Sequence, residues 1–370
     1  PILTERKQRG LPVIYELSDN ITAPHEGVGI KGWFSDPVNL ALAFQYMRLA
    51  DAVQVTGPGL AQRFNFINPR TIIFPNQIAV MGSLDRPDTG RVTIGWAGSS
   101  GHIRDVESVI DIVASLIQAH PQVDFALMSD EKIYRLWASA LPAGRIDYSP
   151  PGTLAAYLEF LQRLDIGLAP LLDNPYNHCR SDVKFLEYAS RGAVPVLSRT
   201  TPYLDTVQHG VTGFLYGSPQ ELGQLLTRLI ADAGLRDRVR KAAYAYVREH
   251  RREIRQADGR LAFYESLLDH QAAPGTAPSG LLLRRLGDKA ACFELRPSRT
   301  ETLLSQGIAY ESRGLHQEAR RAYRQAAEED PDYYLPWFWL GYAALRHGNP
   351  DARQWFDEAI QRNPRALRAR

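Results

Sequence analysis

The sequence predicts an α/β protein in which two successive βα series each build a parallel sheet, followed by an all-α hairpin region. Three observations carry this expectation. Short apolar runs alternate with helical patterns from residue 11 to about residue 216, as βαβ units require. A polar stretch with Pro and Gly, 82–90, breaks the alternation and divides it in two. After residue 298 the pattern becomes a repeat of Gly, aromatic, Ala and Pro positions that belongs to stacked helical hairpins. With 370 residues, 44% of them hydrophobic, the chain can fill two or three cores.

The first series reads as strand Pro12–Tyr15, helix Pro37–Leu49, strand Ala52–Val55, helix Pro58–Phe64 and strand Thr71–Phe74. Asp19 and His25 follow the first strand, at the end of a parallel sheet where chemistry occurs. They are the candidate catalytic residues, although a loop Asp also serves to cap a turn. The second series opens with strand Arg91–Ala97 and the loop Gly98-Ser99-Ser100-Gly101, which suits close approach of a phosphate to backbone before helix Arg104–Ala119. The loop is neither a G-x-G-x-x-G nor a Walker sequence. Strands Val123–Met128, Ile146–Tyr148 and Ile166–Ala169 follow, with helices Glu131–Ala140 and Thr153–Leu164 between them.

The stretch Ala169–Ser198 organises this second series. An apolar strand, Asp165–Leu171, leads into a polar loop; a helix opens near Ser181, Gly192 ends it, and the apolar strand Val194–Leu197 follows. Lys184, Glu187 and Arg191 share one helix face by spacing, leaving Phe185, Leu186 and Ala189 for the sheet. The loop Asp173–Ser181 then lines a ligand site, because ligands sit beyond the carboxyl ends of such strands, against helix N-termini. After Tyr216 the pattern is helical, first Pro219–Ala231 and then a charged run Leu235–Leu268. In that run Arg248, Arg251, Arg252 and Arg255 read as a solvated face.

Residues 271–280 (QAAPGTAPSG) have linker composition. Beyond them, Gly307, Tyr310, Ala319, Tyr323, Ala326 and Pro331 match the tetratricopeptide pattern, and Trp337, Leu340, Gly341, Phe356, Ala359 and Pro364 match it again. Two such hairpins bury too little alone, so they must lean on the preceding domain, a second copy or further repeats.

Glu187-Tyr-Ala-Ser-Arg-Gly-Ala-Val-Pro195-Val and His209–Tyr216 (HGVTGFLY) together resemble the donor domain of retaining GT-B glycosyltransferases of family four. The resemblance spans roughly residues 10–268 and is strongest between Val92 and Tyr216. One position departs: the family's first acidic residue, eight before its Glu, is Cys179 here, which cannot supply the usual carboxylate contact to the donor sugar. The variant CRSDVKFLEY looks like a branch of the family in which Ser and Lys precede the Glu.

The resemblance implies a pair of Rossmann-type domains and transfer of sugar from a nucleotide-sugar donor to a glycan, lipid-linked or protein acceptor, with retention. Glu187 would take the ribose hydroxyls in bidentate fashion, where its plain structural role is an intrahelical pair with Lys184. Lys184, Arg180, Arg104, His102 and the N–H groups near Ser181 would face the diphosphate, on which negative charge grows in the transition state. Gly98, Ser99, Ser100, Tyr148 and Cys179 complete the expected donor site. Asp182 would point away from phosphate, which it would otherwise repel. The one Asp-x-Asp tripeptide, Asp330-Pro-Asp332, lies between helical repeats, so no metal and no further cofactor is expected.

The expected plan is therefore a partial acceptor domain at 1–90, a donor domain with closing helices at 91–270, a linker at 271–298 and tetratricopeptide repeats at 299–370. Trp337, Trp339 and Trp355 offer the repeats aromatic surface for a protein partner, core packing being the expected fate of Trp337. Net charge of +2 gives no reason to expect nucleic acid. Two cysteines, Cys179 and Cys292, make no disulfide framework. With no apolar run long enough to span a membrane, the expected place is the cytoplasm or the inner membrane face. The alternatives are a degenerate scaffold whose repeats bind a partner and, less favoured, a nucleotide-sugar epimerase of similar fold. The three-strand first series and the missing initiator Met lead to the expectation that this is the later part of a longer protein, with upstream sequence covering the edge at Val13–Tyr15.

Overall fold

The computed structural model describes Arg6 and residues 9–23, 37–85, 89–269 and 299–362. His25, Cys292 and the linker 271–298 lie outside the described residues. By contacts the chain forms two units, one holding the described residues up to Phe74 and from Gly259 onward, the other Pro75–Asp258. The division expected at residue 90 thus runs at residue 75, and that expected at 270 runs at 259.

The first unit contains the expected βαβαβ series. Strands β1 (Ile14–Leu17), β2 (Ala52–Val55) and β3 (Thr71–Ile73) pair in parallel in the order β1-β2-β3, with helices α1 (Pro37–Leu49) and α2 (Pro58–Phe64) between them. Every residue of β2 is buried, as a central parallel strand demands. Helix α1 gives Leu40, Ala41, Phe44 and Met47 to the core. Asn68 ties the end of α1 to the next loop, its amide donating to the carbonyls of Met47 and Ala50 at 2.9 Å each.

The second unit is a six-stranded parallel sheet in the order β6-β5-β4-β7-β8-β9. Its strands are β4 (Val92–Ala97), β5 (Val123–Met128), β6 (Ile146–Ser149), β7 (Ile166–Ala169), β8 (Val194–Ser198) and β9 (Phe214–Tyr216). The helix expected from 104 to 119 is two helices, α3 (Ile103–Glu107) and α4 (Ile110–Ala119). Between them the Ser108 hydroxyl donates to the Asp105 carbonyl at 2.6 Å, competing with the helical ladder. Helices α5 (Glu131–Ala140) and α6 (Leu154–Gln162) follow, each started by a side chain, Asp130 and Thr153 respectively, that accepts from the first turn. Helix α7 (Val183–Ser190) places Phe185, Leu186 and Ala189 wholly inside, as its spacing predicts. It stops where Gly192 takes φ +70°, a conformation open to Gly. After the short α8 (Thr201–Leu204), helices α9 (Pro219–Ala231) and α10 (Ala233–His250) close the unit.

The charged run Leu235–Leu268 is helical in two pieces: α10 ends at His250, and α11 (Ala257–Asp269) is separate and from Gly259 belongs to the first unit. There Tyr264 donates to Gln54 of β2 at 2.7 Å and Phe263 meets Phe74 edge-on at 5.7 Å. The repeats, α12 (Arg299–Ser312), α13 (His316–Glu329), α14 (Tyr334–Arg346) and α15 (Ala352–Arg362), are two hairpins of the same unit. Each hairpin seats an aromatic ring where its partner helix has only Gly: Tyr323 against Gly307, Phe356 against Gly341. They lean on the first sheet's elements: α12 packs on α1, and Phe338 stacks on Phe66 at 4.6 Å. Trp339 is therefore core, not contact surface, whereas Trp337 is half-buried and stacks on Trp355 at 5.9 Å.

Candidate functional site

The strand order of the second unit reverses between β4 and β7, since β5 and β6 lie to one side and β8 and β9 to the other. In such sheets the crevice at the reversal receives ligands at the carboxyl ends of the strands. Two loops reach that point, 98–102 after β4 and 170–182 after β7.

The loop after β4 is held by side chains from the turn after β5. Ser129 donates to the Gly98 carbonyl at 2.7 Å, and the Ser100 N–H donates to the Asp130 carboxylate at 2.6 Å. Ser100 therefore offers its N–H to a carboxylate rather than to an incoming phosphate. Gly98 is small because the Trp96 ring occupies the place of a side chain, 2.6 Å from where a Cβ would stand. Gly98, Ser99, Asp130, Gly152, Thr153 and Tyr157 border a cavity of about 370 Å³. Tyr148 lies alongside, its hydroxyl donating to the Ser129 carbonyl at 3.1 Å and its ring stacked on Tyr134 at 4.2 Å.

His102 continues this edge. Its Nδ1 is 2.9 Å from Asp105, a fully buried carboxylate whose other oxygen accepts from the Leu172 N–H at 2.8 Å and the Asn177 amide at 2.9 Å. Asp105 thus couples the loop after β4 to the loop after β7. Burial holds the His102 pKa below its ordinary 6.5; Asp105 opposes this, and the positive charges of Arg180 and Lys184 reinforce it. The unfolded chain therefore binds the proton more tightly than the folded one. Stability should be full above about pH 6.5 and fall as pH drops from there toward the depressed folded value. Urea midpoints measured from pH 7.5 to 5.5 should decline less in His102→Gln than in the wild type; parallel declines would remove His102 from the account.

The loop after β7 and helix α7 supply the opposite wall. The Lys184 ammonium donates to the Tyr157 hydroxyl at 2.6 Å and to Glu187 at 3.0 Å, and Tyr157 donates to the same Glu187 oxygen at 2.6 Å. Burial, and next the Glu187 charge, raise the Tyr157 pKa, so the phenol stays protonated and a donor. No side chain caps the N-terminus of α7. Arg180 stacks over the Tyr176 ring at 4.9 Å, Cys179 is buried, and Ser181 accepts from the Asn76 amide at 2.8 Å.

Asp182 is turned away from the crevice. It is buried and pairs with Arg251 through both oxygens, at 2.6 and 2.9 Å, while also accepting from Thr206 at 2.8 Å. Arg251 further donates to the Asn76 carbonyl at 2.9 Å. This corrects the solvated reading of Arg251: it is a buried anchor, and Arg252 likewise reaches the Ala79 carbonyl. Arg191, expected to share a helix face with Lys184 and Glu187, is buried past the end of α7 and donates to the Val80 carbonyl at 3.0 Å.

The structure gathers Gly98, Ser99, His102, Arg180, Lys184 and Glu187 around one crevice in the second unit. Arg104 does not join them; it forms an exposed pair with Glu107 at 2.9 Å. Asp19 sits in the bend after β1 of the first unit, and His25 is outside the described residues. Sequence reasoning missed Tyr157, Asp105 and Asp130. Asp130 had a signal, an acidic residue between strand and helix; Tyr157 had none, being one aromatic in an amphipathic helix.

A sheet of this order, with its crevice between the first and fourth strands, is the Rossmann-type arrangement of the GT-B glycosyltransferases, and the chain has their fold. It superposes on Anabaena HepE in complex with UDP-glucose over 71% of this chain and 75% of that one, at 17% identity and a TM-score of 0.55. TarM of S. aureus, in a complex that includes UDP, aligns over 69% of this chain and 51% of its own, at 9% identity and a TM-score of 0.52. A glycosyltransferase from Rickettsia africae aligns over 72% and 79%, at 11% identity and 0.50. At these identities the likeness is one of fold. Residues 304–366 match the tetratricopeptide repeat family. No curated protein matches the chain in sequence. No helix among the described residues is long and apolar enough to cross a membrane.

Proposed function

We propose that the chain is a glycosyltransferase that moves a sugar from a nucleotide-sugar donor to a glycan, lipid-linked or protein acceptor, with retention of configuration. The observation that carries the reading is the meeting of Tyr157, Lys184 and Glu187 at the strand-order reversal of the second sheet. Glu187 would exchange its bond from Tyr157 for the ribose hydroxyls. Lys184, Arg180 and the uncapped N–H groups of α7 would take the diphosphate, stabilising the leaving group as its charge grows. Because these groups supply the positive charge, no metal is required at the donor site. The binding of UDP-glucose to HepE supports a nucleotide-sugar donor. Acceptor contacts would come from elsewhere in the chain, including the helical repeats.

Calorimetry with UDP and other nucleoside diphosphates, in the presence of chelator, tests this. One diphosphate should bind the full chain, and its nucleotide sugar should be hydrolysed slowly in the absence of acceptor. Binding that appears only after a divalent cation is added would overturn the metal-free account. A second reading, a non-catalytic scaffold of glycosyltransferase fold, is favoured by one feature, the buried Cys179 where the family's carboxylate stands. It expects no diphosphate to bind at all.

A further inference from the structure

The helical repeats hold a group of side chains that the proposed transfer does not use. Glu311 lies near the end of α12, His316 opens α13, and His347 follows the end of α14. The Glu311 side chain is 7% exposed, yet neither of its oxygens accepts a hydrogen bond. His316 Nδ1, also buried and without a hydrogen bond, stands 3.4 Å from Glu311 Oε2; His347 Nε2 stands 3.8 Å from the same oxygen. The two imidazole rings lie with centroids 4.0 Å apart and planes tilted by 49°, and the three donor atoms all fall within 4.8 Å.

A buried carboxylate that accepts no hydrogen bond is costly to leave so, and natural proteins give such a group a partner. Tetrahedral zinc with nitrogen and oxygen ligands at about 2.0–2.2 Å sets its donor atoms roughly 3.3–3.5 Å apart. The two histidine nitrogens stand 3.4 and 3.8 Å from the Glu311 oxygen, within a few tenths of an ångström of that, and the whole set lies within 4.8 Å, so side-chain rotations can close it. Two imidazoles and one carboxylate favour zinc or a neighbouring transition ion. Calcium and magnesium want six or more oxygens, largely from carboxylates, carbonyls and water, and the cluster offers one carboxylate.

We propose that Glu311, His316 and His347 form a binding site for a divalent transition-metal ion of the zinc class, with a fourth position left to water on the side where the two imidazoles are partly exposed. The three ligands sit at the ends of three different helices, so the ion ties the first hairpin to the second. It binds strongly only when both hairpins are docked, and so it stabilises the docked repeats. This site is separate in chemistry and place from the donor crevice.

The full chain, stripped with chelator and dialysed, is titrated with zinc by calorimetry, with metal content measured and cobalt(II) used as an optical probe of four-coordination. We expect one ion per chain, and zinc at a hundred times its Kd should shift the unfolding equilibrium about a hundredfold. Glu311→Gln, His316→Gln and His347→Gln should each weaken binding at least a hundredfold, while His120→Gln leaves it unchanged. Helix content of the metal-free variants, read by circular dichroism, separates loss of ligand from loss of fold. Should Glu311→Gln fail to fold, the two partly exposed histidines carry the test. No uptake by the stripped wild type, or one ion still bound tightly in the histidine variants, overturns the proposal. The first outcome would leave an ordinary carboxylate–imidazole contact.

Discussion

Arg251→Ala is expected to destabilise the second unit by about 3–5 kcal/mol, a large share of the roughly 5–15 kcal/mol that holds a typical domain folded. The guanidinium and the Asp182 carboxylate are both buried, and removing the cation leaves a buried anion with Thr206 as its remaining side-chain donor. The same change frees the Asn76 carbonyl, to which Arg251 also donates. A surface ion pair would be worth far less, about 0–1 kcal/mol, so urea unfolding distinguishes the two cases. The double variant Arg251→Met with Asp182→Leu should recover much of the loss, because the desolvation cost of both charges disappears with them. An unchanged urea midpoint in Arg251→Ala would mean that the pair is solvated after all.

The second large effect concerns the ligand. Glu187→Ala should weaken nucleotide diphosphate binding by at least tenfold, since each hydrogen bond to a charged carboxylate is worth about 1.5–3 kcal/mol. The fold should survive, because Lys184 and Tyr157 keep their mutual bond at 2.6 Å and neither is left alone. Calorimetry on the folded variant checks this. Unchanged affinity would return Glu187 to a purely structural part in the Lys184–Tyr157 cluster.

How far the sequence could be read depended on how local each cause was. Helix α5 was legible end to end because Asp130, its cap, is adjacent in the chain and Trp137 and Ile133 show the helical period. The hairpins were legible because Gly307 with Tyr323, and Gly341 with Phe356, repeat one packing device at a fixed spacing. Lys184 and Glu187 showed their shared face through a spacing of three. Arg251 was misread because its partner Asp182 lies 69 residues earlier, and a run of arginines looks the same whether or not one of them turns inward. The place of Asp105 was hidden for a similar reason. Asp105 is committed to Leu172 and Asn177 across the sheet, and no residue near it announces that commitment. Tyr157 meets Glu187 only once β7 lies beside β4.

The seating of Phe338 on Phe66, and of α12 on α1, bears on how this protein can be cut and recombined. A truncation that removes the repeats asks whether they select an acceptor, yet it would also strip the cover from α1 and expose Phe66. Loss of transfer in such a fragment would report a wounded core as readily as a lost recognition surface. The exchangeable piece is not the repeat pair but the repeats together with the face they cover. A chimaera that imports foreign hairpins must import a ring to lie on Phe66. Questions about recognition are better put by single changes on the outward side of α13 and α15, at exposed residues such as Arg324 and Arg353.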